Sequence, residues 1–439
     1  MPTKIAVVVE KPSNRLQYVL DFVLKNVCGL EWKWYVQSGS EIPDPSEPIL
    51  IYGQFSDTDF SIPSAGLLYK TGVKDLDLWP GKWGDLPCLF CSDSPHYHLN
   101  FDLFSAVFYC ISRYEEYLPF EADEHGRFPH TQSVAFKLDF LKRPLVNEWI
   151  YAWLKSFSQF YGHRIEIPKP KTKYLMSIDV DNSFAFEGKG IFRNVFGLLN
   201  DVRALRFEAV NMRLAFWKQR TPDPFNNYEF QLNACKEHGV DLLYFLLFSE
   251  FDTYDRNLTY YNNRNRQLAR YLADEAQLGA HPSYRSNQEF QILHFEIKAL
   301  NELTHLKVEH SRQHYLKLKF PETYENLMKL EVGHDYSMGY SRETGWRAST
   351  SSSFNFYHLG LEKTMPLQVH PFPFMDSVYF DQKKWSAKEA HSEIFYFLQQ
   401  VKEFGGSFIP VFHNRTFSEM IHEWKGWRSL YIDLLKAMK

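Results

Sequence analysis

The chain has 439 residues, with 49 Lys and Arg against 53 Asp and Glu, and 44% of its side chains are apolar. That length accommodates two or three domains with sizeable cores. A net charge of -4 and a pI near 6.5 exclude the basic footprint of a nucleic-acid binder. No apolar run reaches the roughly 18 residues that a spanning helix needs, so no membrane span is expected. Five scattered cysteines read as reduced thiols, and Cys88 and Cys91 of "CLFC" read as packing cysteines. The N-terminal apolar run is too short for a signal peptide, and the expected location is cytoplasmic.

In chain order, "KIAVVVE" and "PILIYGQ" have strand composition, while "RLQYVLDFVLKNV", "FDLFSAVFYCISRYEEY" and "PLVNEWIYAWLKSFSQF" carry apolar residues at helical spacing. They predict a smaller α/β domain over residues 1–167. "RIEIPKPKTKY" then interleaves prolines with lysines, which favours an extended linker. Residues 168–439 form the second expected domain. Short apolar runs recur there: "YLMSI", "DLLYFLLF", "QLGAH", "LKVEHS", "LQVHPF" and "SFIPVFH". Helical stretches such as "EFQILHFEIKALNELT" separate several of them. Repeated alternation of strand and helix predicts a parallel sheet, open or closed into a barrel.

Polar side chains follow strand after strand. Asp179 and Asp181 follow the first run, His281 ends the third, and Arg312 and His314 follow the fourth. His370 and His413 follow the last two. In a parallel α/β barrel these ends converge on one face, which carries the active site. Asp179 and Asp181 repel each other and resist burial, so a cation, an arginine or a substrate is expected beside them. Aspartate and histidine on separate strands suit a divalent metal such as zinc. One carboxylate would ligate the metal, and the other would accept a proton from metal-bound water. His413 across the pocket would protonate a leaving amine. Together these groups point to a hydrolase for an amide or an ester.

"SIDVD", "HPSYRS", "SRQHYL", "DYSMGY" and "FIPVFHN" occur in the order of the NodB-homology polysaccharide deacetylases, carbohydrate esterase family 4. The resemblance covers roughly residues 170–435. It implies a deformed (β/α) barrel, a divalent metal (zinc, with nickel or cobalt as alternatives) and a carbohydrate or N-acylated sugar intermediate as substrate. Through "FDLFSAVFYCISRYEEY" and "DEHGRF", the first 165 residues resemble the N-terminal domain joined to such barrels in Bacteroidetes-type members.

On that resemblance Asp179 matches the general base, and Asp181 and His281 match metal ligands. Arg312 matches the arginine that orients the base, and His413 matches the acid. The family's second metal histidine falls at Arg285, so His314 is the expected replacement, with His370 as another. Asp335, Arg347, His370 and Tyr284 are expected to contact substrate, and Asp376 to line the pocket.

Other readings stand beside these. Asp179 and Asp181 could cap a turn, and Arg312 could be a structural ion-pair partner. His314 could be a ligand, a substrate contact or a structural hydrogen-bonder. Asp335 could stabilise its turn, and Arg347 could anchor its own loop. "TYDRN" (253–257) reads as a polar loop, and "STSSSF" as a solvated one. The alternatives for the whole chain are a non-sugar amidohydrolase and a carbohydrate-binding module that has lost its catalysis.

Overall fold

The computed structural model describes residues 4–163 and 165–439; Met1–Thr3 and Arg164, the first residue of the linker, lie outside the described residues. The chain divides into two compact units. The first comprises Met1–Lys173, Gly345–Pro371 and Gln400–Ser407, and the second comprises Tyr174–Thr344, Phe372–Gln399 and Phe408–Lys439. The division at Lys173 lies within the proline-lysine segment. The two later returns of the chain to the first unit have no composition signal.

In the first unit Lys4–Val9 is the central strand, flanked by Glu31–Val36 and Ile49–Tyr52, with Phe60–Ile62 at the edge. All three pairings are parallel. A strand covered on both faces must be apolar throughout, and "IAVVV" is. All nine residues of the helix Leu103–Ile111 are buried. Asp102 caps this helix by accepting from the Ser105 amide at 2.9 Å. The strands Phe354–His358 and Lys363–Pro371 form an antiparallel hairpin in this unit. "LQVHPF", expected as a parallel strand of the second domain, is therefore half of that hairpin. A local apolar run does not reveal the direction of its pairing partner.

The second unit is a mixed α/β fold on a parallel sheet. Five of its strands run in the order His334–Met338, His310–Ser311, Gln277–Ala280, Asp241–Leu246 and Thr172–Val180, and Val411–His413 pairs with Thr172–Val180 off that path. Every pairing among these strands is parallel. Helices Asn263–Glu275 and Phe290–Thr304 provide crossovers between its strands. Leu243, Phe245, Leu316, Tyr336, Phe372, Ile409 and Val411 form a buried core cluster. Gly279 is needed where its strand passes Phe245, since a Cβ there would stand 2.8 Å from that ring and 2.9 Å from the His310 carbonyl. "DYSMGY", quoted from the sequence as a site motif, is largely the strand His334–Met338.

Register places the polar residues. Asp179 pairs with Phe245 on one side and His413 on the other. Ala280 pairs with Leu246 and with Ser311. Asp181, His281 and Arg312 therefore emerge at the same, C-terminal edge of the sheet. Parallel strands put all their carboxyl ends on one side, where side chains distant in sequence meet.

Candidate metal centre

The pair that opens the site is Asp179 and Arg312, both buried. Arg312 donates from Nη1 to Asp179 Oδ1 at 2.6 Å, from Nη2 to Ser177 Oγ at 3.0 Å and from Nε to the Tyr336 carbonyl at 3.0 Å. Its guanidinium carbon lies 4.3 Å from the centroid of the Phe245 ring. A planar fork with every edge engaged fixes a buried carboxylate in direction. Asp179 Oδ2 remains, 3.9 Å from His281 Nε2.

Asp181 is surrounded by imidazoles. Its Oδ1 lies 3.2 Å from His281 Nε2 and 3.7 Å from His314 Nε2, and its Oδ2 lies 3.6 Å from His413 Nε2. Each ring is held from behind through Nδ1. The His281 nitrogen donates to the Arg312 carbonyl at 2.5 Å, that of His314 meets Asp255 Oδ1 at 2.7 Å, and that of His413 meets Asp376 Oδ1 at 2.5 Å. A carbonyl and carboxylates accept only, so the Nδ1 atoms carry the protons. In neutral rings the Nε2 lone pairs then face Asp181.

Three lone pairs around a carboxylate need positive charge between them. Burial pushes the Asp181 carboxyl up, but His413, His281 and His314 outweigh it and hold the group well below the usual carboxylate range. Burial lowers His413, yet Asp376 and Asp181 outweigh it and raise the ring to about 8. Burial likewise opposes the charge on His281, and Asp179 and Asp181 raise it nonetheless. Asp181 Oδ1 is a buried oxygen without a hydrogen-bond partner. The donor atoms of Asp181, His281 and His314 lie within 4.8 Å of one another. Donors about 2.1 Å from a tetrahedral ion stand roughly 3.4 Å apart. The 3.2 and 3.7 Å separations at Oδ1 bracket that value, so these residues fit a divalent metal.

Arg285 is not among the side chains around Asp181. It is exposed, donates to Glu289 at 3.1 Å and lies 3.7 Å from Asp252. Tyr284 stacks on Tyr254 with ring centroids 4.3 Å apart and meets Tyr315 edge-on. Tyr315 in turn packs against the ring of His314. These tyrosines make an aromatic group beside the imidazoles.

The remaining expected residues are elsewhere or already engaged. Arg347 belongs to the first unit, where it is buried and donates from Nε to Glu116 Oε1 at 2.9 Å, with Nη2 on Oε2. It anchors that unit and is not free to bind substrate. His370 also belongs to the first unit, with Nδ1 2.8 Å from Ser353 Oγ. It is not among the donor atoms grouped around Asp181. Asp335 is fully buried and accepts from the Ser337 amide, the Ser337 hydroxyl and Tyr324 at 2.8 to 3.1 Å. Its acceptors are filled, so it braces the strand instead of meeting substrate. Asp376 is fully buried. Besides the ring it accepts from the His413 amide at 2.7 Å and from Thr416 Oγ1 at 2.5 Å.

Asp255 corrects the reading of "TYDRN" as a plain polar loop. It is buried behind His314 and also accepts from the Tyr284 amide, at 3.0 and 3.1 Å. Its only sequence signal is an aspartate in the loop that follows a parallel strand. Arg415, with Nη1 3.7 Å from Asp181 Oδ2, was equally hidden two residues beyond His413.

Residues 5–162 match a family model described as a family of unknown function (DUF7033). No curated protein sequence matches the chain. Among solved structures, a candidate polysaccharide deacetylase from Mycobacterium smegmatis is 12% identical, covering 61% of this chain and 85% of its own at a TM-score of 0.40. A CE4 family pseudoenzyme from Bacillus anthracis is 13% identical, covering 61% and 62% at a TM-score of 0.30. The Bc1960 peptidoglycan N-acetylglucosamine deacetylase is 11% identical, covering 61% and 84% at a TM-score of 0.31.

Proposed function

We propose that the chain is a metal-dependent hydrolase that removes an N-acyl group, acetyl in the simplest case, from a sugar. The observation that carries this reading is the arrangement around Asp181: three imidazoles turned toward one carboxylate, with a second, arginine-held carboxylate beside them. Asp181, His281 and His314 would hold the ion. Zinc suits one oxygen and two nitrogens, and nickel or cobalt accept the same donors. When bound, a divalent cation acidifies water and polarises an acyl carbonyl.

The protein's own groups divide the proton transfers. Asp179 accepts a proton through Oδ2, because Oδ1 is occupied by Arg312. Arg312 aims Asp179 and acts as a positioning residue. His413 is protonated below about pH 8 and donates from Nε2 to the departing amine, while Asp376 fixes the ring from the other side. Tyr254, Tyr284 and Tyr315 form an aromatic cluster beside the imidazoles, a composition in keeping with a sugar-handling site. An N-acylated sugar or glycan intermediate is the substrate class of this reading.

Elemental mass spectrometry on untagged protein, beside turnover of N-acetylated glucosamine oligomers and nucleotide-linked N-acetyl sugars, tests the assignment. Asp181→Asn and His314→Ala should lose the metal. Asp179→Asn should keep it and lose turnover. Wild-type turnover by Asp179→Asn would refute the mechanism. Absence of metal after incubation with zinc, nickel or cobalt would favour the binding-module alternative.

A further inference from the structure

Directly after the Asp181 loop the chain forms two short helices, Gly190–Arg203 and Phe207–Trp217, packed against each other. Nine of the 24 exposed large apolar side chains among the described residues lie between Ile191 and Trp217. Phe192 is 82% exposed, Ile191 79% and Leu205 71%. Elsewhere such residues are mostly scattered, which is ordinary for a soluble surface.

The polarity of this pair is inverted. At 100° per residue, Ile191, Phe192, Val195, Phe196, Leu199 and Val202 fall within an arc of about 140°, and all six are exposed. The residues turned inward are polar. Arg213 donates to Asn194 Oδ1 at 3.0 Å and to Asp201 Oδ2 at 2.9 Å, and all three are buried. Gly197 makes room for this clamp, since a Cβ there would stand 2.7 Å from Arg213 Nη2. A helix pair held together by a buried charge network, with its aromatic and aliphatic residues outward, matches an apolar environment outside the fold.

Charge distinguishes between occupants of that face. Residues 189–220 carry seven lysines and arginines against Asp201 and Glu208, a net +5 in a chain of net -4. A second copy packed face to face would set +5 against +5. An anionic lipid surface offers the opposite charge together with an apolar layer. The longer helix is about 21 Å, too short for the roughly 30 Å hydrocarbon core. It can lie in the interface plane with its apolar arc among the acyl chains and its cations at the headgroups.

We propose that residues 190–217 are an interfacial docking element that binds the chain to anionic membrane surfaces. This surface stands independently of the hydrolase reading, since binding is measured without turnover. Because the helices continue the Asp181 loop, docking would bring the candidate site's loop to the lipid interface.

The test is co-sedimentation of the full chain with vesicles of phosphatidylcholine alone and of phosphatidylcholine mixed with phosphatidylglycerol. The wild type should bind the mixed vesicles, bind neutral ones more weakly, and lose binding as salt is raised. Phe192→Ser with Phe196→Ser should weaken binding at least about tenfold, with an unchanged circular dichroism melt. Arg203→Glu, at an exposed position, should weaken binding to the mixed vesicles alone. Failure of the wild type to bind mixed vesicles overturns the proposal, as does equal binding by the double variant. A dimer seen by light scattering that the same two substitutions dissociate, without vesicle binding, would assign the face to a second copy instead.

Discussion

Removing Asp255 tests whether His314 serves as a metal ligand, because Asp255 touches the ring and not the space in front of Asp181. Its Oδ1 takes the His314 Nδ1 proton at 2.7 Å, and its two oxygens together take the Tyr284 amide at 3.0 and 3.1 Å. A hydrogen bond to a charged acceptor is worth about 1.5–3 kcal/mol. Losing such a partner behind a ligating histidine lowers metal affinity about 10- to 100-fold, or roughly 1.4–2.7 kcal/mol. Asp255→Ala should reach the upper part of that range. Asp255→Asn keeps one accepting oxygen, which can serve either the ring or the Tyr284 amide, so about tenfold is expected. The assay is competition for zinc against a chromophoric chelator, with melting of the metal-free variants run alongside. Arg285→Ala should leave affinity unchanged, because that side chain is exposed and paired with Glu289. The reasoning is refuted if Asp255→Ala binds zinc as tightly as the wild type, or if Arg285→Ala weakens zinc binding.

Three further outcomes follow from other residues. Burial pushes Glu296 from 4.5 to about 7; the folded state thus holds its proton through the window from 4.5 to 7 while the unfolded state has released it. Stability should fall as pH rises through that window, by about 3 kcal/mol. Glu296→Gln should flatten the slope in denaturant titrations, and an unchanged slope would contradict it. His413, raised to about 8, should give an alkaline limb in kcat/KM: the protonated acid is intact below that pH and is lost above it. His413→Gln should remove the limb along with most of the rate. Arg347→Met would leave Glu116 with Arg113 as its remaining cationic partner, at 2.8 Å. It should destabilise the protein by about 3–5 kcal/mol without raising KM, whereas a substrate-binding arginine would raise KM.

The sequence alone determined where chemistry could sit at the carboxyl ends of parallel strands. "YLMSIDVD" ends a buried strand with two aspartates, and "QLGAH" and "LKVEHSR" end others with histidine and arginine. Period and composition are local properties, so the α/β class and the parallel sheet were legible. The orphaned position at Arg285 was also visible, because a missing imidazole is a matter of spacing.

Tertiary structure decided which of these residues meet. His314 lies 3.7 Å from Asp181 Oδ1, three residues beyond the end of its strand and just before Tyr315 at φ 60°, a conformation no residue pattern announced. Asp255 and Asp376 stand behind His314 and His413 from segments 59 and 37 residues distant in sequence. Asp376 was expected at the pocket but not as the partner of His413, and nothing near Asp255 marked it as different from a surface carboxylate. Arg347 and His370 follow motifs that resemble site residues, yet their segment joins the first unit. Which side of a fold a returning segment joins depends on burial summed over the whole chain. Strand ends can therefore be read one at a time, whereas the groups that orient their side chains appear only when distant loops pack together.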